Sequence, residues 1–183
     1  MFRFDFVWDL ATSKPGSGEE TLERATDTVA FVPSPDLTSY FGLCAVLTPA
    51  SESDSVGLSA VKSCVAELEA EMTILRTRYQ ADVEMPRRFL VRTRSAAGAF
   101  SLDPAVIDWL YERGALLVGS DCSLYREDGR FTELASKFES LSLPGLFGLN
   151  LEHLEQGYRY NLLAGPLKVE NSAVIPVRPL LVS

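Results

Sequence analysis

The chain has 183 residues, 46% apolar and 23% charged, with a formal net charge of -8 and a pI of about 4.7. That length suits one domain with a real core, residues 1–183, and the composition excludes wholesale disorder. An acidic chain repels a phosphate backbone, and the densest basic runs, Arg87-Arg88 and Arg92-Thr93-Arg94, only flank the apolar Phe89-Leu90-Val91, so no nucleic-acid footprint is expected.

The expected elements run as follows. Phe4 to Leu10 reads as a first strand, and Ser13 to Gly18 as a loop by its turn chemistry. Thr28 to Val32 reads as a short strand stopped by Pro33-Ser34-Pro35-Asp36. Tyr40 to Leu47 is a near-continuous apolar run, the pattern of a strand buried on both faces. The polar stretch from Pro49 to Ser55 reads as a loop. From Gly57 to Tyr79, Val61, Val65, Leu68, Met72 and Leu75 fall at helical steps with glutamates largely opposite, which predicts a helix covering a sheet. Arg88 to Thr93 is the next strand.

Ser101-Leu102-Asp103-Pro104 is a helix start, because Asp103 can accept from orphan N–H groups and Pro104 has none to leave unsatisfied. That helix runs to Arg113, where Gly114 stops it. Ala115 to Gly119 reads as a buried strand, Phe131 to Ser140 as a helix, and Leu146 to Leu151 as a strand leading into a turn with His153. Tyr158 to Ala164 and Val174 to Val182 close the sheet, with Pro176 and Pro179 placing the last strand at an edge or a bulged position. The interleaving predicts a single-domain α/β fold, a mixed sheet with packed helices.

Cys44, Cys64 and Cys122 are odd in number, widely spaced and without a Cys-x-x-Cys pair, as expected of free thiols in a reducing cytoplasm. The opening residues lack the long apolar core of a signal peptide, and no apolar run nears the length of a membrane span. The expectation is a soluble cytoplasmic protein that contacts neither membrane nor nucleic acid.

From Arg88 onward, five pieces follow one another in a recognisable order. They are Phe89-Leu90-Val91-Arg92-Thr93; the Trp109-Leu110 helix ending at Gly114; Val118-Gly119-Ser120-Asp121-Cys122-Ser123; Gly165-Pro166-Leu167-Lys168-Val169; and Pro176-Val177-Arg178. In this order the chain resembles the cyclase family that includes bacterial kynurenine formamidase. Phe6-Val7-Trp8-Asp9-Leu10 also resembles the opening strand of that family. The resemblance implies its fold and a homodimer.

The family's metal motif, H-x-G-T-H-x-D-x-P-x-H, falls best on Glu23 to Pro33, where only Thr26 matches; Glu23 and Asp27 take histidine slots and Val29 the aspartate slot. A later histidine position falls on Ser136 or Lys137, and a glutamate position near Gly148. The chain contains one histidine, His153, which no ligand slot covers and which reads as solvent-facing. No metal or cofactor is therefore expected. Two carboxylates at Glu23 and Asp27 with water can hold a hard cation, but a solvated acidic surface is the simpler reading.

Asp121, Cys122 and Ser123 follow a buried strand, where functional loops often begin. They are the catalytic candidates, against the plainer reading that Asp121 hydrogen-bonds loop backbone and Cys122 lacks an activating partner. Glu23, Asp27, Phe31, Tyr40, Tyr125, Ser136 and Phe138 are the candidates for lining a ligand pocket, with core filling as the alternative for the aromatics. The function expected first is metal-independent cyclisation or isomerisation of a small organic molecule in a biosynthetic pathway, by holding a reactive conformer. A non-catalytic binding or partner subunit is the alternative, and residual arylformamidase-like amide hydrolysis the third.

Overall fold

The computed structural model describes residues 7–10, 28–33, 37–50, 55–80, 82, 84–93, 101–123, 132–166, 172 and 174–183. In chain order the elements are β1 (Val7–Asp9), β2 (Val29–Phe31), β3 (Phe41–Leu47), β4 (Ser55–Val56), α1 (Leu58–Tyr79), β5 (Arg88–Val91), β6 (Ser101–Leu102), α2 (Pro104–Glu112), β7 (Leu117–Ser120), α3 (Glu133–Leu141), β8 (Gly145–Phe147), β9 (Gly157–Leu163), β10 (Val174–Pro176) and β11 (Leu180–Val182). A 3-10 turn at Thr38–Tyr40 leads into β3.

Nine of these strands form one sheet in the order β1-β11-β9-β3-β5-β7-β8-β2-β10. The central β3, β5, β7 and β8 are parallel, and the strands outside them pair antiparallel. Strands β4 and β6 make a separate two-stranded parallel pair.

The two halves of the chain's last segment fix the shape of the large sheet. The edge strand β10 ends at Pro176, and β11, at the other side of the sheet, begins at Leu180. Four residues of extended chain reach about 14 Å, whereas a flat nine-stranded sheet would hold its outer strands roughly 38 Å apart. The sheet must therefore curl until its ends approach one another. The short link stitches them: Val177 N–H donates to the Thr28 carbonyl beside β2, and Leu10 N–H beside β1 donates to the Pro179 carbonyl. Val174 to Val182 is thus not the single strand expected. Pro176 does sit on an edge strand, where its missing N–H costs no ladder bond.

Alternation along the strands divides the core in two. One set of side chains, Cys44, Val46, Leu90, Leu117, Leu146, Leu162 and Leu181, meets inside the curl with Tyr40, Leu149, Leu151 and Leu154. The other set, Ala45, Leu47, Phe89, Val91, Val118 and Phe147, faces outward. The apolar faces of α1 (Val61, Val65, Leu68, Met72), α2 (Val106, Ile107, Leu110) and α3 (Leu134, Phe138) cover it.

Local chemistry sets the helix ends. Asp103 Oδ1 accepts from Ala105 N at 2.9 Å and Pro104 occupies the first turn, as the sequence predicts. Thr132 caps α3 by accepting from Ala135 N at 3.2 Å. Gly114 follows α2 at φ +81, a conformation that favours glycine. Strand β8 is shorter than Leu146 to Leu151: it stops at Phe147, and Gly148 turns the chain at φ +66. Ser55 and Ser101, expected in a loop and a helix start, instead pair with each other. Among the described residues no helix is long and apolar enough to cross a membrane.

Candidate functional site at the strand ends

Because β3, β5, β7 and β8 are parallel, their C-terminal ends share one edge of the sheet. The antiparallel β2 brings Thr28 to the same edge. In α/β sheets this edge is where ligand sites are usually built, since the loops leaving it converge. Here it holds Thr93 after β5, Ser120, Asp121 and Cys122 at the end of β7, and Gly148 after β8.

Asp121 is the centre of the group and only 4% exposed. Its Oδ1 accepts from the Thr93 backbone N–H at 2.8 Å and from the Thr93 hydroxyl at 2.5 Å. Ser120 Oγ lies 3.3 Å from the same oxygen and accepts from Cys122 N at 3.2 Å. The carboxylate thereby ties the exits of β5 and β7 together. Two further bonds extend the tie to β8 and β2. Gly148 N donates to the Cys122 carbonyl at 2.8 Å, and Thr28 Oγ1 donates to the Gly148 carbonyl at 2.8 Å.

Cys122 Sγ lies 3.3 Å from Thr93 Oγ1. Burial pushes its thiol above the ordinary range, against the opposing effect of hydrogen bonds from Ser120 and Thr93. The nucleophile in cysteine chemistry is the thiolate, so this environment suppresses reactivity. Ser123 follows in an exposed position. His153 is exposed in the turn after β8, whose backbone is braced by Arg92 Nη1 donating to the Glu152 and Leu154 carbonyls, each at 3.2 Å.

The candidate pocket residues divide differently. Glu23, Asp27 and Tyr125 lie outside the described residues. Tyr40 is fully buried, and its hydroxyl donates to the Phe31 carbonyl, which joins those two candidates within the core. Phe138 is 1% exposed and meets Phe147 edge to face, with centroids 4.9 Å apart. Ser136 is exposed on α3, its hydroxyl directed back to the Thr132 carbonyl at 3.4 Å. Sequence reasoning placed Asp121 and Cys122 together but missed Thr93 and Ser120. Thr93 closes the Arg-Thr strand end already singled out, but only the pairing of β5 with β7 brings it to Asp121.

Among the described residues, the later positions expected of metal ligands do not fit a divalent ion. Ser136 faces solvent, Lys137 Nζ pairs with Asp108 Oδ2 at 2.8 Å, and Gly148 offers no side chain. Among the described residues no group of three or more His, Cys, Asp or Glu side chains could hold a metal.

No family model and no curated protein matches the sequence. Solved structures do match over nearly the whole chain. A potential metal-dependent hydrolase with cyclase activity superposes with a TM-score of 0.64 at 16% identity, covering 97% of each chain. A predicted metal-dependent hydrolase from Bacillus stearothermophilus gives 0.64 at 15% identity, covering 97% of this chain and 98% of the other. Isatin hydrolase A from Labrenzia aggregata gives 0.61 at 18% identity, covering 97% of this chain and 93% of the other. The fold is that of the cyclase-like metal-dependent hydrolases. This is the fold implied by the sequence resemblance, and the α/β class agrees with it.

Proposed function

We propose that the chain is a divergent member of the kynurenine formamidase-like cyclase family that binds a small organic molecule without the family's metal chemistry. One observation carries the reading: beside the positions expected to supply a histidine and a glutamate, the side chains are the packed pair Phe138 and Phe147, both at most 1% exposed. An aromatic pair in a dry core offers no lone pair to a cation and leaves no room for a bound water.

Within that reading, the strand-end cluster favours a non-catalytic binding or partner subunit over metal-independent cyclisation or isomerisation. Asp121 spends its carboxylate on holding two loops, and Cys122 is held as a thiol. A thiol held protonated by burial is a poor nucleophile. Cyclisation by conformer selection needs no such group and stays as the catalytic form of the proposal. Homodimer assembly and a cytoplasmic location belong to the same reading.

Elemental mass spectrometry of the protein, purified without a histidine tag and exposed to zinc and manganese, tests it. The expected result is no retained metal. Near-stoichiometric metal that is lost together in Glu23→Ala and Asp27→Ala would overturn the reading and restore amide hydrolysis with a carboxylate-held ion.

A further inference from the structure

A second concave region shares no residue with the strand-end cluster. The turn after β8, the start of β9 and α1 enclose a groove of about 410 Å³. That volume suits a molecule of amino-acid size.

Its wall is pinned on three sides. Gln156 Nε2 donates to Glu67 Oε2 of α1 at 2.8 Å, and Gln156 Oε1 accepts from Thr48 N at the end of β3 at 3.4 Å. Tyr160 Oη donates to the Glu155 carbonyl at 3.1 Å. Gly157 lets the Tyr160 ring close on the backbone, since a Cβ there would meet Cε2 at 3.1 Å. The groove is therefore formed before any ligand arrives, which limits the ordering entropy lost on binding.

Its charges are of both signs. Arg159 lies over the Tyr158 ring, 5.4 Å from the centroid, with Nη2 at 3.3 Å from Tyr158 Oη. This holds the guanidinium in place, and among the described residues no carboxylate comes within ion-pair distance of it. Glu71 on α1 and Glu155 on the turn line the same groove, with the imidazole of His153 beside them. A simple anion would gain Arg159 but meet two carboxylates; a simple cation would meet Arg159. Only a molecule carrying both signs satisfies the lining.

We propose that this groove binds a small zwitterion, its carboxylate on Arg159 and its ammonium between Glu71 and Glu155. Arginine suits the first role because its planar fork can grip both carboxylate oxygens. The inference does not rest on the reading of the strand-end cluster, which can fail while this one stands.

The single histidine makes the test direct, because the one imidazole signal in the proton–carbon NMR spectrum belongs to His153 in the groove lining. The whole protein is titrated with L-phenylalanine, with 3-phenylpropionate (the carboxylate alone) and with 2-phenylethylamine (the amine alone). The zwitterion is expected to shift the signal saturably and the single-charge analogues to bind far more weakly. Arg159→Ala, at an exposed position, should weaken phenylalanine by about tenfold or more, the loss of at least one charge-assisted hydrogen bond. Circular dichroism checks that the variant is folded, and the analogue series on the unmodified protein decides the matter if it is not. An unmoved His153 signal, an equal response to all three probes, or an unchanged affinity in folded Arg159→Ala overturns the proposal.

Discussion

Replacing Asp121 separates a structural strand-end cluster from a catalytic one. In Asp121→Ala the buried Thr93 loses the acceptor of both its backbone N–H and its hydroxyl, at 2.8 and 2.5 Å. Hydrogen bonds to a charged group contribute about 1.5–3 kcal/mol each, and a stranded buried donor keeps its desolvation penalty, so the change should cost about 3–5 kcal/mol. Thr93 is only 2% exposed, so water cannot readily replace the carboxylate. The hydroxyl can turn towards Cys122 Sγ at 3.3 Å, a weak partner that recovers little. Asp121→Asn keeps an acceptor oxygen but loses the charge, and should cost about 1–2 kcal/mol. Urea unfolding followed by circular dichroism measures both, with an unchanged m-value showing that the midpoint shift is a stability change. An Asp121→Ala protein within about 0.5 kcal/mol of the parent would refute the reasoning. It would mean that the carboxylate is held for chemistry instead of for the loops.

Two further outcomes follow from the packing. Gly119→Ala should lower stability by about 1–3 kcal/mol in thermal or urea unfolding, the usual cost of overpacking. The new Cβ would sit 2.6 Å from Leu90 Cδ2, 2.9 Å from Leu149 Cδ1 and 3.3 Å from Leu146 Cβ, and the last of these cannot rotate away; a neutral result would show that the interior of the curl has slack. Alkaline conditions should destabilise the protein. Burial raises the ionisation of Cys44, Cys122 and Tyr40 above their ordinary values. A raised folded-state value contributes stability that is fully present below the unfolded value and is lost as pH rises through the folded one. The urea midpoint should therefore fall above roughly pH 8.5, where unfolded thiols ionise, and Cys44→Ala should flatten part of that decline; a midpoint that holds or rises with pH would contradict it.

What the sequence revealed and what it hid divide along the range of the interactions. The α1 helix, the β3 strand and the Asp103-Pro104 start of α2 are all set within a few residues, and each appears where periodicity or capping places it, but β3 is buried on both faces only from Cys44 to Leu47, with Phe41 and Leu43 exposed against expectation. The fate of Val174 to Val182 is set across the whole sheet. Both halves have strand propensity, but Val177-Arg178-Pro179 is a short link that joins the two ends of the curl, and nothing local says so. The Ser55–Ser101 ladder is likewise made by partners far apart in sequence. At the site, Asp121 announced itself by following an apolar strand. Its partner Thr93 could be assigned only once β5 and β7 were known to be neighbours. Tyr40 and Phe138 show the converse limit: an aromatic residue reads the same in a sequence whether it lines a pocket or fills a core.

The packing also bears on how readily these positions could accept metal-binding side chains. Glutamate at Gly148 would be strained at φ +66. At Phe147 it would bury a carboxylate at a position with no exposure, and a histidine at Phe138 would strand an imidazole among apolar neighbours. An unpaired polar group in such a place costs about 1–3 kcal/mol, and a charge more, unless the other donors are already present. A domain of ordinary stability has only about 5–15 kcal/mol in hand. Each donor introduced alone would therefore be selected against before the ion that justifies it could bind. These costs direct attention to the strand-end cluster around Thr93 and Asp121 and to the charged groove at Arg159.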